Sequence, residues 1–234
     1  MNCQILVIDF GSQVTKLIAR RIRECGVYCE IKPFNKVTIN FLKNSNFKGF
    51  IFSGSPSSVE DKKFPNVTNF IFETNLPILG ICYGAQLLTK TFDGKVKNSA
   101  EREFGNARLN VQKKSLLLKN INFNEGNNQV WMSHSDKIIK LPKDFEHIAF
   151  TENSEYAVIQ NLKKKYFGVQ FHPEVSHTKN GKKLFSNFIY DICLCKKDWG
   201  IKSQKLQIIE TIKNQVGNER VICGLSGGVD STVT

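Results

Sequence analysis

Two kinds of hydrophobic pattern alternate along the first hundred residues. Continuous apolar runs predict buried strands at residues 4–10, 28–31, 49–52 and 78–81. Between the first two runs, apolar residues recur at helical spacing from Val14 onward, which predicts an amphipathic helix that stops at Gly26. Strands that alternate with helices favour an α/β fold of three layers, with a mostly parallel sheet between helices on both faces.

The remainder of the chain predicts a second, incomplete unit. Residues 107–171 are typical of shorter, β-rich elements with polar turns, and residues 184–193 predict a closing helix. A boundary is expected near Trp199 and Gly200. Beyond it, apolar spacing predicts a helix over 206–216, then a strand at 220–225 and a loop at 226–232. We therefore expect one complete domain at 1–200 and the start of a second α/β domain at 201–234.

Composition is that of a soluble globular protein. The chain has 234 residues, of which 41% are hydrophobic and 11% aromatic, and no apolar run approaches membrane-spanning length. The N-terminus enters a strand without a charged leader or cleavage site, so we expect no secretion signal and a cytoplasmic location. Seven cysteines without a CxxC pair favour reduced thiols over a disulfide framework or a metal site.

The net charge of +12 leaves three interpretations open. It comes from 33 basic and 21 acidic residues. The charge could mark a nucleic-acid surface, attract anionic nucleotides, or reflect a general lysine bias. The lysines are dispersed and are not interleaved with aromatic residues as in a stacking groove. This favours the lysine bias, and we expect neither a nucleic-acid nor a membrane partner.

A reactive cysteine stands where the fourth predicted strand meets a helix-like stretch. Residues 77–86 have the sequence PILGICYGAQ. This is typical of a nucleophile elbow, in which a sharp turn exposes one side chain, here Cys82, and the flanking Gly80 and Gly84 remove steric clashes. A helix N-terminus favours the thiolate form of a cysteine. The backbone N–H of Tyr83 could also face the oxygen of a tetrahedral intermediate.

A histidine and a carboxylate lie far downstream, in the segment FHPE at 171–174. In an extended chain, residues i and i+2 project the same way, so Glu174 can orient the imidazole of His172. The imidazole can accept a thiol proton and later donate it to a leaving amine. Alone, Cys82 or His172 would be interpreted as a core residue. Together with Glu174 and the elbow glycines, they predict catalysis.

These segments resemble the class I glutamine amidotransferase family, and within it the GMP synthase branch. The resemblance covers nearly the whole chain and rests on DFGSQ at 9–13, EREFG at 101–105, VWMSH at 130–134, GVQFHPEVSHT at 168–178 and LSGGVDST at 225–232. It implies a flavodoxin-like fold and hydrolysis of glutamine to glutamate and ammonia. The ammonia would serve the ATP-dependent amination of XMP to GMP, a ligase reaction of purine biosynthesis.

The resemblance also implies a role for individual residues. The implied triad is Cys82, His172 and Glu174. The implied oxyanion hole consists of the backbone N–H groups of Ser55 and Tyr83. Glutamine would be bound by Gln86, Ser133, His134, Ser135 and Asp136. The loop implied to bind ATP and pyrophosphate comprises Ser226, Gly227, Gly228, Val229, Asp230, Ser231 and Thr232. This loop lacks the lysine of a Walker A motif, but its backbone could still cradle phosphate.

The resemblance implies different ligands for the two halves of the complete enzyme. ATP with Mg²⁺ would serve the synthetase half, whereas the glutaminase half would need no cofactor and no metal. One strand and one loop do not form a nucleotide pocket, so we expect a truncated enzyme that alone is at most a glutaminase. XMP and ATP would become substrates only with a complete synthetase domain, which a separate subunit could supply.

Two serines stand where the family has glycine. The family sequence Ser-Gly-Gly-Pro has Ser55 at its third position here, and Ser-His-Gly-Asp has Ser135. Because glycine often serves a positive φ or a close approach, we expect strain at both serines and a hydroxymethyl group near the substrate. A catalytically impaired remnant or a non-catalytic binding subunit therefore stays open. The loop at 226–232 disfavours a stand-alone γ-glutamyl hydrolase or another amidotransferase subunit.

Overall fold

A computed structural model describes residues 3–123, 126–222, Gly224, Gly227 and Gly228, without the side chains of 99–102, 201–204 and 206–207. The strands in this part of the chain are β1 (Ile5–Asp9), β2 (Cys29–Pro33), β3 (Gly49–Phe52), β4 (Ile78–Ile81), β5 (Lys95–Arg108), β6 (Asn110–Val111), β7 (Gln129–Lys140), β8 (Glu146–Phe150), β9 (Val158–Asn161) and β10 (Tyr166–Val169). The helices are α1 (Thr15–Glu24), α2 (Ile39–Lys43), α3 (Phe70–Glu73), α4 (Tyr83–Thr91), α5 (Gly181–Ser186) and α6 (Ile201–Val216), with a 3₁₀ turn at Phe34–Lys36.

The central sheet has the strand order β2-β1-β3-β4-β10-β9-β8-β6. The five strands from β2 to β10 run parallel, and the pairs from β10 to β6 run antiparallel. The order of the parallel strands is that of the flavodoxin-like fold. Strands β5 and β7 form a separate antiparallel ribbon. The predicted α/β fold with a mostly parallel sheet is confirmed.

Helices cover both faces of the sheet. Alternate residues of β1 enter two different cores, Ile5 and Val7 on one face and Leu6 and Ile8 on the other. The first core includes apolar residues of α1 and α5, and the second includes residues of α2, α3 and α4. Because both faces of β1 are buried, its sequence is a continuous apolar run and not an alternating one.

Most of the predicted elements of the first domain are present. The bounds of β3 and β4 are those predicted, and the first helix ends at the predicted position, with Gly26 at a φ of 78°. The predicted closing helix exists as α5, but it continues as a π-helix over Asn187–Ile192. The prediction of a strand at 220–225 is wrong for the described residues 220–222 and 224, because no described segment pairs with them.

The chain divides into two compact units, Met1–Asp198 and Trp199–Thr234. The first contains the whole sheet. The second contains α6, on which Ile208, Ile209 and Ile212 are exposed. Across the described ranges, no helix is both long and apolar enough to cross a membrane.

The topology brings four strand ends together. The strands β1, β3, β4 and β10 are neighbours and parallel, so their carboxyl ends lie along one edge of the sheet. The strand order reverses between β1 and β3, and ligands of open α/β sheets bind at such a switch point. The segments that follow three of these strands carry Ser55, Cys82 and His172, so the residues predicted to be functional converge at this edge.

Candidate active site

Cys82 occupies a strained turn between β4 and α4. Its φ of 51° and ψ of −106° are unusual for a residue with a Cβ atom. Two glycines make the turn possible. A Cβ on Gly80 would lie 2.5 Å from the carbonyl group of Gly84, and a Cβ on Gly84 would lie 2.5 Å from the carbonyl oxygen of Phe52. The chain thus has the strand–turn–helix geometry of a nucleophile elbow.

His172 links the cysteine to a buried carboxylate. Its Nδ1 lies 2.8 Å from Oε1 of Glu174, which is fully buried, and its ring hydrogen-bonds the side chain of Cys82. Burial alone would lower the pKa of His172. Hydrogen bonds and charge interactions with Cys82 and Glu174 outweigh burial and raise this pKa to about 11. The imidazole is therefore protonated at neutral pH.

Three contacts fix the backbone of the segment that carries His172 and Glu174. The hydroxyl of Thr178 donates to the carbonyl oxygen of His172 at 2.6 Å, and the N–H of His172 donates to the carbonyl of Trp131 at 2.9 Å. Nε of Arg21, on α1, donates to the carbonyl oxygen of Glu174 at 2.9 Å. Thr178, strand β7 and helix α1 thus fix the backbone that carries the imidazole and the carboxylate.

A cavity of about 360 Å³ opens beside the sulfur of Cys82. Its lining includes every residue predicted for the oxyanion hole and for glutamine binding. These residues are Ser55, Tyr83, Gln86, Ser133, His134, Ser135 and Asp136, joined in the lining by Pro56, Ser57, Ser58, Asn98 and Phe104. Tyr83 is the first residue of α4, so its N–H has no acceptor within the helix.

The strain expected at the two serines is absent. Neither Ser55 nor Ser135 has φ in the left-handed region. The hydroxyl of Ser55 accepts a hydrogen bond from the N–H of Ser57 at 3.1 Å, and Ser135 lies within the extended strand β7. Neither backbone has the positive φ that favours glycine, so the expectation of such strain was wrong. Both hydroxymethyl groups do line the cavity, as expected.

Asp136 is held by two residues that the sequence analysis did not identify. Its carboxylate accepts a hydrogen bond from Nδ2 of Asn98 at 2.9 Å and another from the hydroxyl of Ser58. Ser58 falls in a segment after β3, where its position at a strand end could have indicated a role. Asn98 meets Asp136 only through the register of β5 against β7, for which no local sequence signal exists.

His134 belongs to a buried network as well as to the cavity wall. Its Nε2 lies 3.2 Å from Oε2 of Glu103, which also accepts hydrogen bonds from the hydroxyls of Ser154 and Thr151. Burial would raise the pKa of Glu103, but these hydrogen bonds outweigh burial and lower the pKa. Because Nε2 is committed to the carboxylate, only Nδ1 of His134 could contact a ligand. Nδ1 is buried without a partner among the described residues.

The implied ATP and pyrophosphate loop is described only at Gly227 and Gly228. Gly227 has a φ of 78°. The other predicted residues of this loop, Ser226, Val229, Asp230, Ser231 and Thr232, lie outside the described residues. Within the part of the chain that is described, no group of three or more His, Cys, Asp or Glu residues could hold a metal ion.

We expect an NMR titration to find the His172 imidazole still protonated at about pH 8, well above the ordinary histidine pKa of about 6.5. Since the folded pKa exceeds the unfolded value, this group stabilises the fold fully below about pH 6.5. Its contribution to the free energy of unfolding is lost as the pH rises toward about 11. Glu174→Gln should lower the pKa of His172. A wild-type imidazole that titrates near its ordinary value would contradict this electrostatic account.

The amino-acid sequence has relatives among known proteins. The sequence profile of the family described as glutamine amidotransferase class-I matches residues 6–192. A GMP synthase (glutamine-hydrolyzing) of Rhizobium rhizogenes is 48% identical over 229 residues, and one of Aliivibrio fischeri is 47% identical over 230. Each alignment covers 98% of this chain and 44% of the relative, so the chain spans less than half the length of these proteins.

A solved structure resembles the chain over most of its length. It is the crystal structure of a protein described as a GMP synthase subunit from Thermoplasma acidophilum, with a TM-score of 0.69 and 29% sequence identity. The superposition covers 89% of this chain and 98% of that one. A glutamine amidotransferase of Thermotoga maritima, 18% identical with a TM-score of 0.57, shares the fold.

Proposed function

Because the chain belongs to the class I glutamine amidotransferase family, we propose that it hydrolyses glutamine to glutamate and ammonia at Cys82. One observation supports this proposal most directly. The thiol of Cys82, the imidazole of His172 and the carboxylate of Glu174 form a hydrogen-bonded line beside a polar cavity. Such a line, with the cysteine on an elbow, is what acyl transfer from an amide requires.

In the proposed reaction the sulfur of Cys82 attacks the side-chain carboxamide carbon of glutamine. The new S–C bond leaves negative charge on the amide oxygen, which the N–H groups of Ser55 and Tyr83 would stabilise. When the C–N bond breaks, the protonated His172 donates a proton and ammonia leaves. Water then attacks the γ-glutamyl thioester and gives its proton to His172. The C–S bond breaks, which releases glutamate and restores the thiolate.

The cavity suits the polar end of an amino acid. Of its lining residues, Asp136 alone is acidic, and Asn98 and Ser58 hold its carboxylate in place. We assign Asp136 to the α-ammonium group of glutamine, because a fixed carboxylate forms strong charge-assisted hydrogen bonds. Gln86, Ser133, His134 and Ser135 complete the proposed glutamine site. Glu103 holds Nε2 of His134, so a contact of this residue with glutamine would use its Nδ1.

We further propose that the ammonia serves the synthesis of GMP from XMP. Support comes from the GMP synthase relatives that align with 98% of this chain. In this proposal, residues 1–200 are the amidotransferase domain and 201–234 begin the ATP-pyrophosphatase domain of a carbon–nitrogen ligase. ATP with Mg²⁺ would activate XMP in the complete synthetase half. The loop at 226–232 would form part of the ATP and pyrophosphate site of that half.

A separate synthetase chain is the partner we propose for this domain. The Thermoplasma acidophilum protein, described as one subunit of a GMP synthase, aligns with this chain over 98% of its own length. The proposal of a non-catalytic remnant loses part of its basis, because neither Ser55 nor Ser135 has a strained backbone. Both serines still line the cavity, where the family has glycine.

Glutamate release tests the proposed function. The purified chain should release glutamate from glutamine, alone or after addition of a synthetase domain with ATP and XMP. Activity only in the second case would identify a subunit that its partner activates. Absence of glutamate in both cases would contradict the glutaminase proposal and favour the remnant.

A further inference from the structure

A buried glutamine outside the triad contacts the sulfur of Cys82. Gln170 directly follows β10 and is 1% exposed. Its backbone N–H donates to the carbonyl of Ala157 at 2.9 Å, which fixes its place beside β9. Its Nε2 lies 3.7 Å from Sγ of Cys82, a hydrogen bond of the length that sulfur forms. Besides His172, a second side chain therefore interacts with this sulfur.

The direction of this hydrogen bond follows from a backbone carbonyl. The oxygen of Asp136 can only accept, and it lies 2.9 Å from the amide of Gln86, so the contacting atom of Gln86 must be Nε2. That same nitrogen lies 3.4 Å from the amide of Gln170, so the atom of Gln170 that faces it must be Oε1. The other end of the amide, Nε2, then faces the sulfur. The network thus fixes an amide orientation that would otherwise be ambiguous.

The same chain of contacts determines what Gln86 can offer to a ligand. Its two amide hydrogens are directed to the carbonyl of Asp136 and to Oε1 of Gln170. The group that remains is its side-chain oxygen, which can only accept. Gln86 lines the cavity, so it would accept a hydrogen bond from glutamine and would not donate one.

Besides His172, the sulfur of Cys82 has two protein partners, and they suit different charge states. The carbonyl oxygen of Ser133 lies 3.7 Å from Sγ and can accept a hydrogen bond from the neutral thiol only. The N–H of Gln170 can donate to the sulfur, and such a bond is stronger when the acceptor is charged. Loss of Gln170 would therefore remove the hydrogen bond that favours the charged sulfur.

We propose that Gln170 is a further catalytic residue of this site, which donates a hydrogen bond to the sulfur of Cys82 whenever that sulfur is negatively charged. Its catalytic meaning rests on the proposed glutaminase function. The sulfur is charged before it attacks glutamine and again when the C–S bond of the acyl intermediate breaks. In both states the proton stays on the Gln170 amide, while His172 carries out the proton transfers.

The rate at which iodoacetamide alkylates Cys82 tests this role without any substrate. Gln170→Met keeps the length of the side chain and removes the donor, and Gln170→Glu replaces the donor by an acceptor. We expect each variant to slow alkylation at neutral pH by about tenfold, the effect of one hydrogen bond to a charged group. The alkylation profile is the rate measured for each protein over a range of pH. Mass spectrometry of the Cys82 peptide separates this cysteine from the others.

The matched control is Gln160→Met. Gln160 is also 1% exposed, but it bonds Ser115 and Glu146 and lies outside the cavity lining. Its replacement should leave the alkylation profile of Cys82 unchanged. Equal profiles for wild type, Gln170→Met and Gln160→Met would overturn the proposal. If Gln170→Met does not fold, Gln86→Met, which removes the group that orients Gln170, must slow alkylation, and an unchanged rate there would also overturn it.

Glutamate release measured on the same proteins separates this inference from the proposed function. If the wild-type chain has no glutaminase activity but the Gln170 variants are alkylated more slowly than wild type, the hydrogen-bond donor is supported and the proposed function is contradicted. An active wild type whose Gln170 variants keep the alkylation profile would leave the function standing and overturn the role of Gln170.

Discussion

Cys82→Ala is expected to reduce glutamate release from glutamine by at least about 10³-fold, because removal of a nucleophile removes the covalent route altogether. The fold should survive, since alanine fits the space of cysteine, and the substitution removes only the sulfur with its bonds to His172, Gln170 and Ser133 and its share of core packing. The measurement is glutamate formed per minute under whichever condition activates the wild-type chain, with thermal unfolding measured in parallel.

A second cysteine provides the control for this variant. Cys25 is also buried, near the end of α1, and burial raises the pKa of its thiol. Cys25→Ala should therefore retain wild-type glutaminase activity. Equal activity in Cys82→Ala and wild type would show that ammonia is released elsewhere, or by a contaminant, and would remove Cys82 from the mechanism.

Gly181→Ala is expected to disturb the catalytic segment from a distance. A Cβ at position 181 would lie 1.9 Å from the carbonyl oxygen of Pro173, the residue between His172 and Glu174. Either the helix α5 or the segment must shift. We expect the free energy of unfolding to fall by roughly 1–3 kcal/mol, as in other overpacked cores. Glutaminase activity should fall by about 10²-fold, the effect of a displacement near 1 Å.

Chemical denaturation and glutamate release together test this variant. The control is Gly200→Ala, where an added Cβ meets no atom of the described residues within 4 Å and φ is not positive. That variant should match wild type in both measurements. Lower stability with unchanged activity in Gly181→Ala would show that α5 moves and that the segment carrying His172 does not depend on it.

The sequence was sufficient to predict those parts of the candidate site that are formed by residues close together along the chain. The elbow at Cys82 is a local alternation of apolar run, glycine and helix, and His172 and Glu174 meet because they are two residues apart in an extended segment. The strand that ends before Cys82 was predicted from a continuous apolar run, and its ends lie beside those of its parallel neighbours, as in parallel sheets generally. β10, which precedes His172, was predicted only as part of the β-rich region at 107–171, so its parallel pairing with β4 was not predicted.

Contacts that depend on register or on side-chain orientation were not predictable in this way. Glu103 meets His134, and Asn98 meets Asp136, through the pairing of β5 with β7, which is interrupted by a register shift between Asn98 and Glu103. No local pattern encodes that shift. Likewise, the absence of strain at Ser55 follows from the φ that the loop adopts, which residue type alone does not fix.

Covalent labelling by a glutamine analogue with an electrophilic side chain tests the central claim most directly. The account predicts rapid, stoichiometric labelling of Cys82, identified by mass spectrometry of its peptide, with protection by glutamine and slower labelling in Asp136→Asn. This outcome needs no synthetase partner, because labelling depends only on the cavity and the thiol. Labelling of Cys82 that is slow and insensitive to glutamine, or that is no faster than labelling of the other cysteines, would contradict the proposed glutaminase site.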